Sequence, residues 1–565
     1  MYNQWAHPLA ALSTVIAHSV EEPFYYLHNF QQVLDWVELR YADLLDEQER
    51  AFIRTFAELP RPARALLVRM VMRKGELFRT DKLQYAEIGC THAALAPLLD
   101  TGWVAEQVEL GVEQLFGLLR KDELTRCFAG QLSRPKALKH ELLAELLALE
   151  LAPRTLASWF PTFPERVVQW RLQALCDRLR LLFFGNLYQD WSEFVLADLG
   201  FARYEQVAFS ADSRALRSRE DVTAAMALHA CTEQLEQGAT PQQVFAALPT
   251  LAADNPWLAR RRARLLFGLG QQCERLGDWD QATAIYAECQ HPQARIRQVR
   301  VLERSEQWAA AHALATQVAE APANALEVQA LERMLPRLAR KLGGAPRARR
   351  KASTANLIHL VLPAEHASLG VERAVGQYLH EEHGGQVHYV ENTLFNGLFG
   401  LLCWEVIFSP VPGAFFHPFQ SAPQDLHEAD FQLRRAEAFE ACFARLDAGT
   451  HAEAIRQVHQ AKHGLQSPFV CWPALSPELL EQALGCLPPA HLKACFIRLL
   501  QDIRNNRTGM PDLIQFWPDE GRYRMIEVKG PGDRLQDNQL RWLEFCREHG
   551  LPVDVCHVRW DNAAS

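Results

Sequence analysis

Asp512, Glu527 and Lys529 stand in RTGMPDLIQFWPDEGRYRMIEVKGPGD at a spacing that brings two carboxylates and an ammonium together. With Pro518 to Gly521 as a turn, LIQFW and RYRMIEVK form an antiparallel hairpin in which Trp517 faces Arg522 and Asp512 faces Glu527. Directly opposed residues hold their Cβ atoms roughly 4.5 to 5.5 Å apart, and side-chain alternation sets Lys529 on the face of Glu527. Ile514, Phe516, Tyr523 and Met525 share that face, while Leu513, Ile526 and Val528 line the other, so helices are expected to cover both. Two like charges among apolar residues repel and lose hydration, which favours neutralising one or holding a cation between them. Oxygen ligands suit a hard divalent ion, Mg²⁺ or Mn²⁺. An ion pair of Lys529 with one acid explains part of the pattern and leaves the second acid without a use.

The rest of the chain must position this hairpin. A length of 565 residues predicts several domains, and 48% hydrophobic with 22% charged residues is ordinary globular composition. The 13 cysteines form no CxxC pair and no leader-like apolar stretch opens the chain, so a cytoplasmic protein with free thiols and no membrane span is expected. A net charge of −9 weighs against nucleic acid only if charge is even, and it is not. Residues 61–82 hold seven Lys/Arg and two acids, 120–140 hold six and two, and 337–351 hold seven and none. Solvated helix faces and a linker are the ordinary explanation of such runs.

Apolar residues at three and four spacings predict helices through residues 1–88, with Arg69, Arg73 and Lys74 in the first basic run. LFGLLRKDELTRCFAGQLSRPKALKHELLAELL predicts two short helices around a turn, with Lys121 and Lys136 placed to meet phosphates. Residues 161–345 have an almost continuous helical pattern, and LGDWDQATAIYAEC and SEQWAAAHALATQV repeat 29 residues apart, as in tetratricopeptide-like hairpins. A basic connection, 346–364, leads to a C-terminal α/β region, 365–565. There, QVHYVENTLFNGLFGLLCWEVIF predicts a strand or loop and a buried helix of about sixteen residues.

RNNRTGMPDLIQFW with RMIEVKGPGDRLQDNQLRWLEF resembles the VRR-type nuclease domain of the PD-(D/E)xK superfamily. YYLHNFQQVL, LLVRMVMRKGELFRTDKLQYAEIG and ENTLFNGLFGLLCWEVIF are similar to the Fanconi-associated nuclease family, in its bacterial short form. The resemblance implies a helical DNA-binding module (1–88), a SAP-like region (89–160), a solenoid (161–345) that meets protein partners, and a restriction-endonuclease-like nuclease domain. It implies 5′-flap endonuclease and 5′-to-3′ exonuclease activity on branched DNA, in crosslink repair. Carried over by position, Asp512 would bridge two ions, Glu527 and the Val528 carbonyl would bind one, and Glu391 the other. Lys529 would orient or deprotonate the attacking water. Glu405 competes with Glu391, but fourteen helical residues separate them by about 21 Å, and Glu391 matches the family position. Glu372 and Gln539 are supporting candidates, Arg504 and Arg507 would grip phosphates, and Arg69, Arg73 and Lys74 are candidates for a 5′-phosphate pocket. With only Cys90 and Cys127 in the first 150 residues, nothing supports the zinc finger or ubiquitin binding of eukaryotic members. A Holliday-junction resolvase and a non-catalytic DNA-binding scaffold are the alternatives.

Overall fold

The computed structural model describes residues 22–192, 202–251, 254–344 and 356–561. The first 21 residues of the N-terminal module and residues 345–355 of the basic run and linker lie outside the described residues. Two units emerge, one of residues up to 202 with 216–226, the other of 203–215 with 227–565.

In the first unit, helices Tyr25–Tyr41, Glu47–Glu58 and Arg61–Val71 follow the expected periodicity. Asp46 caps the second of them, accepting from the Glu49 amide at 2.8 Å while Glu49 returns a bond to the Asp46 amide at 2.9 Å. A three-stranded antiparallel sheet then joins Leu77–Arg79 and Val104–Ala105 on either side of Val167–Trp170. That last strand, inside the segment expected to be helical, ties residues beyond 161 to the N-terminal module. Its pattern VVQW is too short to declare itself without its partners.

Helices Val112–Leu118, Lys121–Cys127 and Lys139–Leu147 pack around Phe128 and Trp159, one helix more than the sequence suggested. Arg79 fastens this bundle to the sheet: it is 7% exposed and pairs with Glu123 at 2.7 Å and with Glu165. Burial pushes the Glu123 carboxyl up, but the Arg79 bonds, the Arg120 amide and their charges outweigh it and hold the group at about 2. Arg79→Ala takes the shared cation from Glu123 and Glu165 and leaves Glu123 with Arg120 alone, and a loss of roughly 3 kcal/mol is expected, read as a lower melting temperature of this unit.

The second unit contains, after the short helix Pro241–Ala246, the consecutive packed helices Pro256–Leu276, Trp279–Glu288, Ala294–Arg304, Trp308–Glu320 and Ala325–Lys341. Trp279 and Trp308, from the 29-residue repeat, each begin the second helix of a hairpin. Gly270 lets the first hairpin close, since a Cβ there would lie 2.5 Å from the Tyr286 ring.

The C-terminal region is built on a five-stranded sheet: β1 (Asn356–Pro363), β2 (Gln386–Tyr389), β3 (Leu513–Trp517), β4 (Arg522–Lys529) and β5 (Val553–Asp561), in the order β1-β5-β4-β3-β2. β5 pairs in parallel with β1 and β4, and β2, β3 and β4 pair antiparallel. Eight residues assigned to the linker, 356–363, thus form an edge strand of this sheet. Helix α1 (Val371–His383) covers one face, over Leu513, Ile526 and Val528. The other carries Ile514, Phe516, Tyr523 and Met525 into a core with α2 (Leu394–Leu402) and helices Pro477–Cys486 and Pro489–Gln501. All nine residues of α2 are buried, but the expected sixteen-residue helix breaks at Cys403 and resumes only for Trp404–Ile407. Helix α3 (Asp537–Glu548) links β4 to β5 and meets the solenoid, where Arg333 grips Asp537 at 2.6 and 2.8 Å.

Candidate active site

The hairpin register runs from Trp517↔Arg522 to Leu513↔Ile526, and one more step sets Asp512 opposite Glu527. A turn of Pro518–Glu520 with Gly521 at φ 58° closes it. Gly509, at φ 88°, lets the chain enter β3 against α3, because a Cβ would sit 2.8 Å from Asn538 backbone.

Asp512, Glu527 and Lys529 are 9%, 0% and 7% exposed. Asp512 Oδ2 accepts from the Val528 amide at 2.8 Å, which locks its rotamer across the two strands. Lys529 Nζ lies 2.7 Å from Glu527 Oε1. That ammonium is the one polar partner of Glu527 among the described residues, and Oε2 has none. Desolvation foremost lifts the Asp512 carboxyl to about 6, against the Val528 amide and Lys529. Desolvation and then the charge of Asp512 lift Glu527 to about 7, against Lys529. A fully buried carboxylate whose only polar partner is one ammonium, with Oε2 left unpaired, is the observation that a divalent cation fits.

Glu391 lies in the turn between β2 and α2, not at a helix start. Long-range bonds hold this turn against the approach to β3: the Val390 amide donates to the Asp512 carbonyl at 2.9 Å and the Met510 amide to Asn392 Oδ1 at 3.2 Å. Asn396 Nδ2 donates to the Arg507 carbonyl at 2.9 Å, and Asn392 takes φ 54°. The exposed Glu391 carboxylate accepts from the Tyr389 hydroxyl and from Asn392 Nδ2, and its charge helps raise both Asp512 and Glu527. Glu405 instead contacts Lys462 at 3.5 Å and is absent from the charges acting on the pair. Glu372, half-buried in the first turn of α1, also raises Asp512. Among the described residues no three His, Cys, Asp or Glu side chains enclose a metal site by themselves. Closure therefore calls for Glu391 to leave Tyr389 or for backbone and substrate oxygens to join.

Arg504 is exposed on the short helix before Asp512, and its charge lowers His291 and His427 after their burial does. Arg507 is partly committed, donating to the Pro468 carbonyl at 2.7 Å. Gln539, expected to support the site, caps α3, its Oε1 accepting from the Gln536 amide at 2.9 Å. In the first unit, Arg69 is engaged by Glu87 at 2.6 Å and stacks over Tyr26 at 3.9 Å, whereas Arg73 and Lys74 are exposed. Lys121 and Lys136 are exposed and adjacent, Lys121 Nζ donating to the Lys136 carbonyl at 3.0 Å. Tyr389, Asn392 and Asn396 escaped the sequence reading; the Asn-containing break in VENTLFN was their only local signal.

Family models match in the same order as the architecture: FAN1, HTH domain over residues 24–105, Fanconi anemia-associated nuclease SAP domain over 109–159, and VRR-NUC domain over 447–560. The chain is 57% identical over 560 residues to a Fanconi-associated nuclease 1 homolog of Pseudomonas aeruginosa, covering 99% of each. The chain belongs to the Fanconi-associated nuclease 1 family. An Arabidopsis thaliana homolog is 25% identical over 96% of this chain and 68% of its own length. The crystal structure of paFAN1 bound to 5′-flap DNA with a two-nucleotide flap and a gap superposes with a TM-score of 0.87, covering 97% of this chain and 100% of that one at 57% identity. Membership makes this chain a DNA nuclease with a helix-rich N-terminal region and a mixed-sheet nuclease domain. Nucleases of this domain type depend on divalent metal, and DNA is its partner. Among the described residues no helix is long and apolar enough to cross a membrane.

Proposed function

We propose that this Fanconi-associated nuclease family member cuts branched DNA near 5′ flaps, also degrades it 5′ to 3′, and serves interstrand-crosslink repair. The observation that carries the site is Glu527, fully buried opposite Asp512 with Lys529 as its one polar partner and Oε2 unpaired. Asp512, Glu527 and the Val528 carbonyl, with Glu391 released from Tyr389, are the residues to hold two Mg²⁺ or Mn²⁺ ions. When bound, such ions supply Lewis-acid stabilisation of the charge on the phosphoryl and leaving oxygens. Lys529, held beside Glu527, orients the attacking water and takes or holds its proton. The apolar wall around the carboxylates excludes bulk water, which strengthens each charge interaction at the phosphate. Arg504 is placed to meet a flanking phosphate, and the helical N-terminal unit, with Arg73, Lys74, Lys121 and Lys136, to bind the duplex. The solenoid is the surface for protein partners.

The test is a cleavage panel of flap, splayed, nicked and four-way DNA, with and without a 5′ phosphate, in Mg²⁺, Mn²⁺ or chelator. Preferred incision of the flap, abolished by chelator, is expected. Symmetric resolution of the four-way junction in preference to the flap would overturn the substrate assignment. Glu391→Gln is expected to raise the Mn²⁺ concentration needed for half-maximal cleavage by roughly ten- to a hundredfold.

A further inference from the structure

β1 is the edge strand of the nuclease sheet, and its two faces are unlike. Leu360 and Leu362 enter the core beneath α1, whereas Leu357 and Val361 stay 48% and 64% exposed and His359 is exposed between them. The parallel register sets this open face beside the site. Leu357 pairs with Val555, and Val555 with Glu527; His359 pairs with His557, and His557 with Lys529. Cross-strand partners project from the same face of a sheet, so His557 and His359 continue the Lys529 row to the edge. Their rings stack, with centroids 5.7 Å apart and planes at 23°. Two residues on, Arg559 pairs with Val361; it is exposed and has no carboxylate partner among the described residues. β1, β5 and β4 run the same way, so all these residues gather at the end of the sheet that carries Lys529.

We propose that this face binds unpaired nucleotides of the DNA arm adjoining the scissile phosphate, an inference that rests on the flap reading above. Stacked imidazoles flanked by exposed Leu357 and Val361 give a flat, sequence-indifferent platform for bases, and Arg559 supplies the cation that their backbone requires. Paired bases keep their faces within the duplex, so only an unpaired arm can use such a platform. A protein partner would be matched by the apolar pair alone and has no call for a cation and a ring row running into Lys529.

The experiment compares full-length wild type with His359→Ala/His557→Ala, His359→Phe/His557→Phe and Arg559→Ala, on a flap of several nucleotides and on a nicked duplex without unpaired bases. The ratio of kcat/KM on the flap to that on the nick is expected to fall about tenfold in the alanine pair, through KM, and to return in the phenylalanine pair. Arg559→Ala should lower the same ratio and flatten its salt dependence. With Asp512→Asn protein, 4-thiothymidine in the unpaired arm should crosslink to peptides of β1 or β5. An unchanged ratio, an equal loss on both substrates, crosslinks confined to other peptides, or a changed oligomeric state, which would mark the face as a contact between copies, each overturns the assignment. Should the alanine pair melt early, Arg559→Ala and the crosslink decide. Wild type that leaves flaps uncut sinks the flap reading itself; wild type that cuts them with no change in the ratio removes this inference alone.

Discussion

Asp512→Ala is expected to lower the single-turnover rate on a 5′-flap duplex by roughly a thousandfold or more while leaving the fold and DNA affinity in Ca²⁺ within a few-fold of wild type. Asp512 is both an acid facing Glu527 and the acceptor of the Val528 amide, so its loss removes one proposed ligand and frees the strand that carries the other. The amide left behind is a single buried donor, costing about 1 to 3 kcal/mol, which thermal melting will register as a modest shift. Cleavage within tenfold of wild type in saturating Mn²⁺ would remove Asp512 from the chemistry.

Glu527→Gln is expected to abolish cleavage and yet to stabilise the metal-free protein at pH 8. The ordinary carboxyl value of 4.5 rises to about 7 in the fold, because the group is buried beside Asp512. A group raised by folding contributes its stabilisation in full below about 4.5 and loses it as pH climbs through about 7. Wild type in chelator therefore weakens across that window, and the amide, which does not titrate, is spared. On the order of 2 to 3 kcal/mol should separate the two at pH 8, shrinking toward pH 4.5. Adding Mn²⁺ reverses the order, raising the melting temperature of wild type by mass action with little effect on the variant. A variant that melts below wild type in chelator at pH 8 would show that Glu527 is instead a structural partner of Lys529.

What sequence could and could not give is visible in these same residues. The hairpin is local: PDEG sets the turn, alternation sets the faces, and both follow from period 2 and from a left-handed Gly521. Its helical cover on both faces followed from apolar residues on both. Glu391 is different, since its place depends on an Asn392 to Met510 bond spanning 118 residues and an Asn396 to Arg507 bond spanning 111. Neither bond has a periodicity. The family resemblance supplied the position, whereas its setting in a turn, held by Tyr389 and Asn392, came only with the fold. Residues 356–363 fell in the expected linker, and that they form β1 is decided by β5, as the strand Val167–Trp170 is decided by partners far upstream. Arg69 and Gln539 carry contacts that no spacing announced, an ion pair with Glu87 and a helix cap.

The strand order has a consequence for biosynthesis. β5, the last strand, lies between β1 and β4, and its first residues reach back to β1 across 198 positions, as in the Asn356 to Asp554 bond. Long-range parallel pairing of this kind is slow to form and late to reward the entropy of closing the chain. Until the final strand leaves the ribosome, β1 has no neighbour and β4 is an open edge. A prematurely terminated chain therefore keeps its N-terminal helical unit but cannot close the sheet that carries Asp512 and Glu527, so the proposed site is the last feature the chain acquires.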